Sequence, residues 1–129
     1  MNLKIIFSFF VCCCFAANAY TEADLCVNPD ANHCYFVSEG GSDTTGIGTM
    51  TNPYKTLAPL FSIAGAYGAK LDKADTQVRT VVMRSGNYYH AGTVHIRFSN
   101  AVLKNYPGEN PRIWLETTNS DSAHRVVLG

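Results

Sequence analysis

Four basic residues come closest to chemistry in this sequence: Arg84, His95, Arg97 and Lys104. His95 and Arg97 fall two apart in the alternating run 93–98. They therefore share one strand face, opposite Val94, Ile96 and Phe98. Arg84 and Lys104 lie on neighbouring strand candidates, so the four together form a basic patch suited to an acidic sugar. The competing reading is an ordinary solvated strand face. Carboxylates are not clustered. Asp72 and Asp75 sit in a polar linker, and Asp43 sits in a glycine-rich loop where an Asx turn competes with calcium binding. The alternating carboxylates and late Glu of an EF-hand loop are absent. His33, His90 and His124 have no visible base or nucleophile partner, so no catalytic residue is assigned.

The cysteines point to a compartment. Lys4, the apolar run 5–16 and the small residues Ala17 and Ala19 make a secretory signal peptide, with cleavage expected after Ala19. The apolar run is about a dozen residues, short of the roughly 20 needed to span a bilayer. The mature chain, residues 20–129, keeps Cys26 and Cys34. In an oxidising compartment these form a disulfide around the turn-forming Asn28-Pro29-Asp30. A metal site with His33 is the rival, but it lacks a fourth ligand at a usual spacing.

Composition sets broad limits. Hydrophobic residues are 47% and charged residues 16% of the chain, which excludes a disordered composition. Ten basic residues balance ten acidic ones, against the basic excess of a nucleic-acid binder. The balance hides an asymmetry. Residues 20–78 carry three basic and seven acidic groups, and residues 79–129 carry six basic and three acidic. A basic β region suits an acidic glycan.

The elements that must position these residues are mostly strands. The sequence predicts short strands at 35–38, 80–84, 93–98, 101–104, 112–115 and 125–128, separated by turn formers. One helix is expected over 57–69, with Thr56 as N-cap and Leu57, Leu60, Phe61, Ala64 and Tyr67 as its apolar stripe. The pairs Val82-Met83, Val102-Leu103 and Val126-Val127 recur after about 20 and 24 residues, a period that suits solenoid coils. The helix stripe, through Leu60, Phe61 and Ala64, is expected to cover a core of Val82, Ile96 and Leu103.

At the level of motifs the chain resembles the right-handed parallel β-helix proteins of the pectin-lyase-like superfamily. The resemblance rests on Tyr35-Phe36-Val37-Ser38, Gly41-Ser42-Asp43 and the run Asn52-Pro53-Tyr54-Lys55-Thr56-Leu57. It continues through residues 80–88, the Tyr106-Pro107-Gly108-Glu109 turn and Pro111-Arg112-Ile113, covering about 35–115. It implies an all-β fold: the start of a right-handed parallel β-helix with an N-terminal capping α-helix. It also implies a secreted protein that acts on or binds polysaccharide, most closely a pectate-lyase-like protein. The alternative is a non-catalytic glycan-binding or structural β-helix protein. Lyases of this kind use a Lys or Arg base, often with calcium. No cofactor is expected in this chain, and calcium would belong to a full-length lyase. Complete members have many more coils, so the domain is expected to be incomplete and inactive alone. Further coils or a partner strand would then cover its open end. Acidic polysaccharide is the expected partner, with no nucleic acid and no stable membrane span.

Overall fold

The computed structural model describes residues 19–63, 69–71, 74–91, 94–95, 100–116 and 123–127. The expected signal peptide lies outside these residues apart from Ala19, as do Ala64, Tyr67, Asp72, Ile96 and Arg97. Among the described residues, no helix is long and apolar enough to cross a membrane.

The chain is mostly β-structure. Among the described residues there is one short helix, α1 (Glu22–Leu25). Thr21 begins this turn, and the Asp24 carboxylate folds back to accept from both the Thr21 backbone N–H and its hydroxyl. Leu25 is buried, and the disulfide Cys26–Cys34 ties the segment to the first strand.

That strand, β1 (Cys34–Val37), pairs in parallel with β3 (Arg79–Met83), which pairs in parallel with β6 (Ala101–Asn105). The register aligns Tyr35 with Val81 and Val81 with Leu103. Side chains alternate along each strand, so the ladder has two faces. Tyr35, Val37, Val81 and Met83 enter one cluster with Leu57, Leu60, Phe61 and Tyr88, and Leu103 packs against it. Cys34, Phe36 and Val82 enter a second cluster with Leu25 and Cys26. All five residues of β3 are buried, because both of its faces are covered. A strand covered on both faces reads as a continuous apolar run, and Thr80-Val81-Val82-Met83 is such a run. Val81 and Val82 are fully buried, each worth about 1.5–3 kcal/mol relative to exposure.

The core differs from expectation in one respect. Leu60 and Phe61 are buried as predicted, but they join Val81 and Met83, whereas Val82 faces the disulfide layer.

Over its described residues, 57–63 and 69, the helix expected over 57–69 does not form. Leu57 O accepts from the N–H groups of Leu60 and Phe61, making one turn. The chain then enters β2 (Ser62–Ile63), which pairs antiparallel with β5 (Val94–His95). The Pro59 and Leu60 carbonyls accept from Lys70 and Leu71 N–H instead of from the next helical turn. Leu57, Leu60 and Phe61 of the apolar stripe are therefore buried from a turn. Thr56 serves that turn, accepting the Ala58 N–H on its hydroxyl.

A strand outside those predicted from sequence, β4 (Gly86–Ala91), pairs in parallel with β7 (Pro111–Glu116). The expected third rung at Val126-Val127 is also revised. Its strand, β8 (Ala123–Val127), runs antiparallel to β7 instead of extending the parallel ladder. The turn after β6 has Pro107 at its second position and Gly108, at φ 78°, at its third. Those are the residues that a type II turn favours there.

The 38–53 loop is held by its own backbone. Phe36 N–H donates to Gly48 O, and Ser38 N–H donates to Tyr54 O. Asp43 accepts from the N–H groups of Lys55 and Thr56 and from the Thr56 hydroxyl. It thus locks the Asn-Pro-Tyr-Lys-Thr segment from 12 residues away.

Candidate functional site: an aromatic and cationic strand face

The outward face of β4 and β7 carries the most distinctive arrangement. The parallel register places Tyr89 opposite Trp114 and Asn87 opposite Arg112. Tyr88 and Ile113 point inward and are buried, which turns their neighbours outward. The Tyr89 and Trp114 rings stack with centroids 6.0 Å apart and planes within 12° of each other. Tyr89 is 59% exposed, so the platform is open to solvent. Trp114 Nε1–H donates to Asn87 Oδ1 at 3.3 Å and so fixes the indole. Arg112 is exposed on the same face, about 7 Å along the strand from Trp114.

A cleft of about 360 Å³ adjoins this platform, lined by Glu39, Lys55, Thr56, Asn87, Tyr88 and Tyr89. Glu39 Oε1 accepts the Asn87 N–H at 2.6 Å. This is possible because residue 86 is glycine: a Cβ there would lie 2.5 Å from Glu39 Cγ. Tyr88 donates its hydroxyl to Arg84 O at 2.8 Å. Burial, with Glu39 nearby, pushes the Tyr88 phenol up to about 12, so it remains protonated at neutral pH. Among the described residues, neither Lys55 nor Arg112 has a carboxylate within ion-pair distance.

The residues singled out from sequence are distributed differently. Arg84 forms an ion pair with Glu109. Lys104 donates from Nζ to Leu25 O at 2.9 Å. His95 stands opposite Ser62 in the two-stranded β2–β5 sheet, and Arg97 lies outside the described residues. Arg84 and Lys104 thus have internal partners. The Cys26–Cys34 disulfide is present. His33 contacts Asp30 and Asp75. His90 is buried, and desolvation lowers its pKa and keeps the ring neutral; its Nε2 meets no partner among the described residues. No cluster of three metal-ligating side chains occurs among the described residues.

Sequence reasoning missed Tyr89, Trp114, Asn87, Arg112 and Lys55. The available signal was spacing. Tyr89 and Trp114 lie 25 residues apart, close to the coil period, and each follows an inward apolar residue.

Chemically, a stacked indole and phenol offer an apolar surface for the C–H face of a pyranose ring. A nearby guanidinium and ammonium can meet an anionic substituent. Among the described residues lining the cleft, Glu39 is the one carboxylate.

No family model, curated protein or solved structure matches the chain.

Proposed function

We propose that the chain is the opening part of a secreted, right-handed parallel β-helix protein of the pectin-lyase-like kind. On this reading it binds acidic polysaccharide through the Tyr89–Trp114 face. The observation that carries the reading is the exposed aromatic stack with Arg112 beside it on one strand face. The coil reading draws support from two parallel pairings between successive segments, β3 with β6 and β4 with β7. A connection between parallel strands of one sheet is right-handed in about 98% of cases. The disulfide fits an oxidising compartment, and hence secretion.

Between binding and lyase chemistry, the binding reading is favoured by the positions of Arg84 and Lys104. Both are held by internal partners and neither faces the cleft as a base would.

Trp114 is the only tryptophan in the chain, so its emission reports directly on the platform. Polygalacturonate is expected to shift that emission saturably, with neutral galactan much weaker. By calorimetry, Trp114→Ala is expected to weaken binding at least about ten-fold, in the range of an interface hot spot. Arg112→Ala is expected to weaken the acidic polymer selectively and to reduce its salt dependence. Equal binding of the neutral polymer, or wild-type affinity in Trp114→Ala, would reject the proposal.

A further inference from the structure

Asn87 stands between the cleft and the aromatic platform and is tied to both. Its backbone N–H donates to Glu39 Oε1 at 2.6 Å. Its carboxamide accepts the Trp114 Nε1–H on Oδ1 at 3.3 Å. The parallel register sets Arg112 opposite it on β7.

The indole settles how the carboxamide lies. An indole N–H only donates, so the carboxamide atom that meets it is the oxygen. The nitrogen, Nδ2, is left with two N–H donors. Among the described residues no acceptor meets them. Asn87 is exposed, so these donors are open to a ligand.

Arg112 completes the row. Register partners on neighbouring strands stand about 4.8 Å apart, so a short amide and a long guanidinium at these two positions can close on one small group. Arg112 is also exposed, and among the described residues no carboxylate lies within ion-pair distance of it. Nδ2 and the guanidinium are both planar groups that only donate. A carboxylate is planar too, and offers one oxygen to each. Tyr89 and Trp114 form the next row, about 7 Å along the strands. The donors therefore flank the platform and meet the edge of a ring stacked on it. On the cleft side of Asn87, the described lining holds one charge of each sign, Glu39 and Lys55. The β7 side holds Arg112, so a carboxylate is held between Asn87 and Arg112.

We infer that Asn87 is a specificity-determining residue of the platform: its Nδ2 and the Arg112 guanidinium each donate to one oxygen of the carboxylate on the sugar stacked against Tyr89 and Trp114. The inference rests on the glycan-binding reading of that face and adds how the acid group is read.

The test observes the Asn87 side-chain amide directly in the ¹⁵N-labelled chain, with its pair of N–H signals assigned through the Asn87 β-protons. The probes are trigalacturonate and neutral galactotriose at matched ionic strength. Trigalacturonate is expected to shift the Asn87 pair and the Trp114 Nε1–H signal along one saturation curve. Galactotriose is expected to leave the Asn87 pair unmoved. Asn87→Asp keeps an oxygen for the indole N–H and replaces the amide donors with a second carboxylate oxygen. It is expected to weaken trigalacturonate at least about ten-fold, because two carboxylates then face each other. A residue that only braced the indole would leave that affinity unchanged. If the Trp114 signal shifts and the Asn87 pair does not, the inference falls and the platform reading stands. If neither shifts, both fall. Wild-type affinity in Asn87→Asp, or an equal shift of the pair with galactotriose, also overturns the inference. The wild-type signals decide the question on their own, whatever the fold of the variant.

Discussion

Arg84 and Glu109, 25 residues apart, grip each other through two guanidinium nitrogens. Nε lies 2.9 Å from both carboxylate oxygens, and Nη2 lies 2.6 Å from Oε1. The guanidinium also lies over the Tyr106 ring, 4.3 Å from its centroid, and Ser85 N–H donates to Glu109 Oε2. The pair thus pins the turn after β6 to the end of β3. It also explains why Arg84 is not available for a ligand. Because both partners are partly exposed, Glu109→Gln is expected to cost only about 1 kcal/mol, read as a lower denaturation midpoint at unchanged slope. An unchanged midpoint would mean that the pair contributes nothing net.

His33 gives a pH dependence. Its Nδ1 lies 2.7 Å from both Asp30 oxygens, and its Nε2 lies 3.2 Å from Asp75. The hydrogen bond to Asp30 raises the His33 pKa from its ordinary 6.5. The Asn32 N–H and the His33 ring lower the Asp30 pKa from 3.8, and the Gln77 N–H, with His33 nearby, lowers that of Asp75. A raised histidine stabilises the fold fully below the unfolded value, and the gain is lost as pH rises through the folded value. Depressed carboxylates stabilise above their unfolded value and lose the gain as pH falls through the folded one. The contribution is therefore fullest between about pH 4 and 6.5. Thermal unfolding is expected to fall from pH 5.5 to 8.5 in the wild type, and to fall less in His33→Gln. Parallel profiles would exclude His33 as the cause.

The disulfide closes a short loop, with a sequence separation of 8. Loop-closure entropy for that length is worth about 2.5 kcal/mol. Cys26→Ser with Cys34→Ser is expected to lower stability by about that amount in urea unfolding. A loss under about 0.5 kcal/mol would show that the segment is held by the Leu25 and Phe36 packing alone.

Gly48 has φ 79°, and a Cβ there would lie 2.4 Å from Tyr54 Cε2. Tyr54 is buried, so its ring has little room to retreat. Gly48→Ala is expected to cost about 1–3 kcal/mol, from backbone strain and ring displacement together. Chemical denaturation checks this. Gly108→Ala makes the control, since it shares a positive φ but has no atom within 4 Å of the new Cβ.

Legibility from sequence followed how locally each feature is determined. β3 was readable because an uninterrupted apolar run suits a strand covered on both faces. The disulfide was readable because residues 20–129 hold two cysteines. The stretch from Leu57 was misread because its apolar spacing fits a helix, while the Lys70 and Leu71 amides that capture the Pro59 and Leu60 carbonyls lie a loop away. β4 was missed because Ser85-Gly86-Asn87 has turn chemistry, and Gly86 is instead required by the approach of Glu39. The aromatic face was hidden because register alone joins Tyr89 to Trp114, and register depends on pairing across 25 residues. The partners of Arg84 and Lys104 were hidden for a related reason: alternation predicts which way a side chain points, but not whether a Glu109 or a Leu25 carbonyl awaits it there.

β3 contributes to both apolar clusters, Val81 and Met83 to one and Val82 to the other. It is a shared wall, so neither compartment can open without exposing the other. The disulfide-bearing opening segment is therefore not a detachable arm. Amide hydrogens along β3 report the stability of both layers at once, and damage to either layer is felt by the whole described structure.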